Sequence, residues 1–299
     1  MTRILITGGS GQVGGALAGL DWPAGTELVV PPRTELDLSA ADQVSAYVSE
    51  GRFSAIVSTG AYTAVETAEE NLLDAFKVNA QGPAAIAEAA KKLGIPLVHI
   101  STDYVFDGTK TSPYVETDSI NPKGVYGASK AAGELAIQSS GCRHVILRTA
   151  WVFSAFGGNF VRTMIRLTDR PQLKVVDDQT GCPTAAQDIA VAAQTIVLRQ
   201  LADTNAPNGI FHFCGDEAVT WFGFASEIFQ LLSARQIDVP AVVPISTKEY
   251  PTPARRPANS ALSTDKLRQE FGIGPCQWRV ALASTVDVLL NEQETGVAL

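Results

Sequence analysis

Charge is scarce in this 299-residue chain, and positive charge is scarcer still. Only 18% of the residues are charged, with 23 Lys and Arg against 31 Asp and Glu. The resulting net charge of −8 gives no general attraction to nucleic acid or to an anionic membrane, so any polyanion must bind in a local pocket. Cysteine and histidine are also few. Cys142, Cys182, Cys214 and Cys276 lie more than thirty residues apart and form no ligand-spaced cluster with His99, His144 and His212. A Cys/His zinc site is therefore not expected, and reduced thiols suit a chain of this size better than disulfides. No apolar run approaches the roughly 18 residues that a membrane span needs. The start, Met1-Thr-Arg-Ile-Leu-Ile-Thr-Gly8, reads as a first strand rather than a signal segment, so a cytoplasmic protein is expected. With 45% hydrophobic residues the chain has ample material for a core, which excludes disorder as its main state.

Short Val/Ile/Leu-rich runs at Arg3–Thr7, Glu27–Val30, Ala55–Ser58, Pro96–Ser101 and Val145–Thr149 alternate with helical stretches. This alternation predicts βαβ units and a doubly wound, mostly parallel α/β sheet. The clearest helix spans Leu72–Leu93, with an apolar stripe of Ala75, Val78, Ala85, Ile86, Ala89 and Ala90, and Gly94 and Pro96 end it. Beyond Thr149 the pattern loosens. Ala155–Leu167 and Thr184–Leu201 read as helices, Ile210–Phe213 as a strand, and Ala241–Asn259 as a Pro-rich, aperiodic stretch. We expect a dinucleotide-binding domain over residues 1–154 plus about 185–213, and a smaller C-terminal substrate-binding lobe over about 155–184 and 214–299.

The first strand runs into Gly8-Gly-Ser-Gly11-Gln12-Val13-Gly14 and then a helix, the context in which spaced glycines point to a dinucleotide. Gly8 permits the tight turn, Gly11 lets backbone N–H groups approach a pyrophosphate, and Gly14 lets the helix pack against the strand with its N-terminal dipole toward the phosphates. An ordinary strand-to-helix turn explains one such glycine, not three. The second strand ends in Pro31-Pro32-Arg33 rather than in an acid. An acid there binds the adenosine ribose of NAD, whereas arginine pairs with the 2′-phosphate of NADP. Arg33 thus favours NADPH, with NADH still possible; an arginine merely solvated at the surface is the alternative. Asp37 and Leu38 follow at a distance suited to border the adenine.

Tyr126 and Lys130 stand four apart on one helix face, and Ser101-Thr102-Asp103-Tyr104 closes the fourth strand. Reducing a ketone by hydride needs an acid at the ketone oxygen. A neutral tyrosine serves if an ammonium (Lys130) stabilises its phenolate and a hydroxyl (Thr102) polarises the carbonyl. Tyr and Lys one helical turn apart occur often by chance, but the glycine loop and a Thr at a strand's carboxyl end make chance a poor account here.

Together these features resemble the short-chain dehydrogenase/reductase superfamily, and longer strings resemble the dTDP-4-dehydrorhamnose reductase family in particular. They include Ser101–Gly108, Tyr114 with Glu116-Thr117-Asp118, Asn121-Pro122 before Tyr126, and Arg148–Phe153. The likeness continues through Gly158-Asn159-Phe160, Asp178-Gln179 with Gly181–Thr184, and Pro253–Pro257 with Asn259-Ser260, covering nearly the whole chain. The resemblance implies a Rossmann-type fold and the NADPH- or NADH-dependent reduction of a dTDP-4-keto sugar to dTDP-L-rhamnose.

It also implies roles for individual residues. Tyr126 is the expected proton donor, Lys130 the holder of the nicotinamide ribose, and Thr102 a hydrogen-bond partner of the reacting oxygen. Gly8, Gly11, Gln12, Val13 and Gly14 match the family's phosphate loop, and Ala61, Tyr62 and Thr63 its segment beside the riboses. Asp103, Tyr104, Trp151, Asn159 and Arg256 are expected on the nucleotide-sugar side. Trp151 has a core-packing alternative, and Arg255 and Arg256, suited to a diphosphate, have the alternative of a solvated pair. Gly15 and Gln187 stand where magnesium-bridged dimers of the family carry acids, so a monomer or weak homodimer is expected rather than a metal-bridged one. Two other functional readings remain: another nucleotide-sugar reductase or epimerase, and a non-catalytic regulatory subunit of the same fold.

Overall fold

A computed structural model describes residues 1–294 of the chain; the last five residues of the expected C-terminal lobe lie outside the described residues. The centre is a six-stranded parallel sheet made of β1 (Thr2–Thr7), β2 (Thr26–Val29), β3 (Ala55–Ser58), β4 (Leu97–Thr102), β5 (His144–Thr149) and β10 (Gly209–His212). The spatial order is β10-β5-β4-β3-β1-β2. Strands covered on both faces need apolar side chains in both directions, which is why these segments read as continuous Val/Ile/Leu runs. Ile4 and Ile6 point into one core and Leu5 into the other; likewise Val57 and Ile56, and Leu147 and Ile146.

The first core is closed by α1 (Gln12–Ala18) and α8 (Ala186–Ala202), the second by α2 (Ala41–Glu50), α5 (Gly82–Leu93) and α6 (Val125–Ser140). The sheet is thus doubly wound, as the alternation predicts. The chain leaves β1 toward β2 on one side and from β3 onward builds the other, which opens a crevice beyond the strands' carboxyl ends.

Several boundaries differ from expectation. The helix read as Leu72–Leu93 is α4 (Leu72–Phe76) and α5 joined by a π-helical turn at Lys77–Gln81; a short helix α3 (Val65–Ala68) precedes it. Of the helix expected over 155–167, only α7 (Phe160–Arg166) forms. Gly157 takes φ +67°, and the Asn159 side chain accepts the Arg162 amide as the N-cap, so the helix starts there. The helix expected from Thr184 begins at Ala186, because Thr184–Ala185 is a short strand, β9, paired with β6 (Val152–Phe153).

The Pro-rich stretch contains a strand after all. Within it β12 (Ala241–Ile245) pairs in parallel with β7 (Gln172–Val176) despite Pro244. A further short pair joins β8 (Thr180–Gly181) to β11 (Val219–Thr220). The helices α9 (Trp221–Ser233), α10 (Asp265–Phe271) and α11 (Trp278–Glu294) complete the elements, and α9 and α11 join the first core through Phe224, Ile228 and Trp278. All four cysteines are free and buried. No helix among the described residues is long and apolar enough to cross a membrane.

Candidate functional site

A cleft of about 960 Å³ lies over the carboxyl ends of β1, β3, β4 and β5. One half is made of backbone. Gly8 has φ +74°, and a Cβ placed on it would stand 2.5 Å from Gly60 in the loop after β3. A Cβ on Gly14 would stand 2.2 Å from the Gly8 carbonyl oxygen, so α1 packs against the turn only because that atom is missing. The Gly11 amide closes the turn on the Gly8 carbonyl at 2.9 Å. Gly60 was not singled out from the sequence; the signal was its place directly after a buried strand.

Gly8, Gly11, Gln12, Val13, Gly14, Arg33, Asp37, Leu38, Ala61, Tyr62 and Thr63 all line this cleft. Arg33 does so from the rim, with 78% of its side chain exposed and only a 3.5 Å pairing with Asp37. The Ser39 amide and the Arg33 charge hold the Asp37 carboxyl below its usual range against the opposing effect of partial burial. Tyr62 is fixed from behind by Asn79, whose side chain accepts the Tyr62 amide at 2.8 Å and donates to its carbonyl at 3.0 Å. A further bond from Asn79 to the Ser129 hydroxyl, 3.0 Å, ties this loop to α6.

The other half is made of side chains. Thr102 ends β4; its Oγ1 accepts the Tyr104 amide at 3.2 Å and donates to Asp103 Oδ1 at 2.9 Å. The Asp103 Oδ2 atom is buried without a partner. Burial pushes the Asp103 carboxyl up to about 6, opposed by hydrogen bonds from Ser260 and Thr102. Tyr126, in the first turn of α6, meets the Tyr104 ring edge to face at 5.5 Å. Burial pushes the Tyr126 phenol up to about 12, the Thr102 hydroxyl pulls it back and the Asp103 carboxylate adds to the rise.

Lys130, one turn beyond Tyr126 on α6, lines the same cleft. Its ammonium turns under the cleft to the Ile100 carbonyl at 2.7 Å and His99 Nε2 at 3.1 Å. Burial brings the Lys130 ammonium down to about 8, with Glu134 supporting its charge.

On the far side, Trp151 lies directly after β5 with φ +46°, a left-handed conformation that costs a bulky residue about 1–3 kcal/mol. Its indole stacks on Trp221 with centroids 3.5 Å apart and planes within 6°. A Cβ on Gly181 would meet that indole at 2.3 Å, so the glycine is what admits the ring. Trp151 therefore faces the cleft as well as packing, and Trp221 beside it is a lining residue that sequence reasoning missed.

Thr102, Asp103, Tyr104, Tyr126, Lys130, Trp151 and Asn159 all line the same cleft. Asn159 is less free than expected, since its amide nitrogen donates to Ser154 O at 2.8 Å and Gln12 Oε1 at 3.2 Å while its oxygen caps α7. Arg256 stands outside the cleft lining, half-buried and ion-paired. It pairs with Glu66 at 2.6 Å, and Glu66 also accepts the Ala254 amide.

Sequence reasoning also missed a buried polar cluster behind Lys130. Glu134, one turn beyond Lys130, takes the Arg148 guanidinium at 2.6 and 2.9 Å and the Ser101 hydroxyl. The side chains of Arg148 and Glu134 are 2% and 0% exposed. A signal was present: an arginine inside the apolar strand Val145–Thr149 must find a buried partner, and an acid stands four residues after Lys130.

The RmlD substrate binding domain model matches residues 1–291. A dTDP-4-dehydrorhamnose reductase of Sinorhizobium fredii is 45% identical over 295 residues, covering 97% of this chain and 98% of that protein. Among solved structures, the dTDP-4-dehydrorhamnose reductase of Clostridium acetobutylicum superposes with a TM-score of 0.89 at 36% identity, covering 97% of this chain and all of that one. The Bacillus anthracis enzyme, solved in complex with NADP, has a TM-score of 0.86 at 34% identity and covers 96% of this chain and all of that one. Sequence and fold agree from end to end, and the chain belongs to the dTDP-4-dehydrorhamnose reductase family of NAD(P)-dependent oxidoreductases.

Proposed function

We propose that the protein catalyses the last step of dTDP-L-rhamnose formation, reducing the 4-keto group of dTDP-4-dehydro-β-L-rhamnose with NADPH, and with NADH as a second donor. The observation that carries this reading is the meeting of Thr102, Tyr126 and Lys130 in the cleft that the glycine loop also lines. A binding module would have no use for that trio. The name shared by the relatives and the NADP complex of the Bacillus anthracis enzyme support it from outside the chain.

The glycine-built half fits a dinucleotide, because Gly8, Gly11 and Gly14 keep side-chain atoms off the turn that would face a pyrophosphate. Gln12 and Val13 complete that turn. Arg33, exposed at the rim, is suited to a 2′-phosphate; Asp37 and Leu38 border the adenine, and Ala61, Tyr62 and Thr63 the riboses. When bound, the reduced nicotinamide supplies the hydride. The protein's own groups handle the proton. Tyr126 holds it on a phenol that stays neutral throughout the physiological range and donates it to the ketone oxygen.

The Thr102 hydroxyl stands beside both the Asp103 carboxyl and the Tyr126 phenol, and its single proton turns to the ketone oxygen when the sugar is bound. Lys130 uses two of its three N–H bonds on Ile100 and His99, which leaves one for the nicotinamide ribose. Trp151, with Trp221 behind it, forms an apolar wall for the sugar, and Asp103, Tyr104 and Asn159 border it. Arg256 reaches the diphosphate by exchanging its Glu66 partner. In this scheme residues 1–154 with 185–213 form the cofactor half, and 155–184 with 214–294 the sugar half.

The test is the loss of NADPH absorbance on mixing the purified protein with freshly generated dTDP-4-dehydro-L-rhamnose. Turnover is expected, falling about 10²–10⁴-fold in Tyr126→Phe at unchanged NADPH affinity. No turnover with either NADPH or NADH would overturn the reading in favour of another nucleotide sugar or a regulatory subunit.

A further inference from the structure

The ammonium of Lys130 is held from below by groups that the reaction does not touch. His99, fully buried on β4, faces it with Nε2 at 3.1 Å, while His99 Nδ1 lies 3.2 Å from the Ser58 hydroxyl on β3. The ammonium can only donate, and that fixes the tautomer. Nε2 accepts from Lys130 and so carries the lone pair, which leaves the proton on Nδ1, facing the Ser58 hydroxyl; burial and the Lys130 charge both keep the imidazole neutral.

Tyr126, Lys130 and Glu134 recur every fourth residue along one stripe of α6. The Glu134 carboxylate is immobilised by Arg148 from β5 and by Ser101 from β4. Lys130, Glu134 and Arg148 together carry two cations and one anion. A buried ammonium with too little counter-charge stands ready to lose its proton. From the other elements packed on α6, Asp103 of the turn after β4 faces Tyr126, one turn before Lys130, and the uncharged Asn79 bonds Ser129 beside it. Glu66 and Glu69 of the α3 region are committed to Arg256 and to the Val125 amide.

We propose that His99 and Glu134 are positioning residues for the reduction: from β4 and from the next turn of α6 they fix the Lys130 side chain beneath the cleft and keep its ammonium charged. Removing the carboxylate withdraws the charge that favours the ammonium, and removing the imidazole withdraws its acceptor. Both changes push the proton off Lys130 at lower pH, so the alkaline side of the activity profile moves down. A role confined to packing moves stability and leaves that profile in place.

The inference rests on the proposed reduction, so its test includes a measurement independent of turnover. In protein carrying ¹⁵N-labelled lysine, the Lys130 side-chain signal is assigned by its loss in Lys130→Arg and titrated by NMR. The wild-type midpoint is expected near 8. Glu134→Gln and His99→Leu should lower it by about 1 unit or more, with a matching fall in the alkaline limb of kcat/KM. His99→Gln, which can still offer an acceptor, should restore both. An unchanged midpoint in folded His99→Leu overturns the proposal, as does an equal shift in His99→Gln. Because Glu134→Gln leaves Arg148 buried with a weakened partner and can fail to fold, the two His99 variants decide alone in that event. If wild type turns over no keto sugar, the proposed reaction fails while the titration still judges the positioning role.

Discussion

The two halves of the cleft are built from opposite materials. The glycine half works through atoms that are absent: Gly8 and Gly14 sit where a single Cβ would stand 2.5 and 2.2 Å from neighbouring backbone. The half around α6 works through charged and polar side chains carried into the interior, Lys130, Glu134, Arg148, His99 and Asp103. The first recognises shape and tolerates no added volume. The second sets proton positions and tolerates no lost partner. The two therefore break in different ways, and the variants that follow separate them.

The largest effect is expected in the side-chain half. Arg148→Leu strands the Glu134 carboxylate in the interior and should destabilise the protein by about 3–5 kcal/mol in urea unfolding. Restoring neutrality with Glu134→Leu in the same chain should recover much of that loss. No recovery would mean that the pair matters for shape rather than charge.

Next is a pH effect. The Asp103 carboxyl binds its proton more tightly in the folded chain, near 6, than at its ordinary 3.8. Its contribution to stability is therefore complete below 3.8 and disappears as pH rises to about 6. Over that window the stability of wild type relative to Asp103→Asn should fall by about 3 kcal/mol, read from unfolding curves at each pH. A flat difference would show that the carboxylate is solvated.

In the glycine half, Gly14→Ala should cost about 1–3 kcal/mol of stability and weaken NADPH binding, while turnover of whatever complex forms changes less. Binding titration beside single-turnover rates checks the split. Smallest of all, Arg33→Ala, on an exposed side chain, should leave stability within about 0.5 kcal/mol and lower the preference for NADPH over NADH roughly tenfold. Equal loss with both donors would remove Arg33 from the 2′-phosphate.

The same contrast explains what could be read in the sequence. The glycine half was legible because its logic is local: Gly8, Gly11 and Gly14 recur every third residue and follow directly on a strand with an Ile-Leu-Ile centre. The sheet was legible for the same reason, with strand ends misplaced by a residue or so. Tyr126 and Lys130 were legible as a pair, but the direction of the Lys130 side chain was not. It is set by His99, thirty-one residues away, and by the Ile100 carbonyl. Trp221 left no local mark, since it reaches the cleft only through the packing of α9 against α7. The loop at 155–159 read as helix because its apolar residues fit that period; Gly157 and the Asn159 cap decide otherwise.

The π-helical turn at Lys77–Gln81 bears on how this chain tolerates insertion and deletion. A π turn holds one residue more than a regular helix needs, and here the surplus falls where Asn79 grips both the Tyr62 loop and Ser129. Deleting one residue from 77–81 would regularise the helix and swing Asn79 about 100° around it, releasing the Tyr62 loop from the helix that carries Tyr126 and Lys130. A shortened chain would gain a better helix and lose the clasp between two segments that line the cleft. Length at this one place is therefore under tighter constraint than residue type in most of the helix around it.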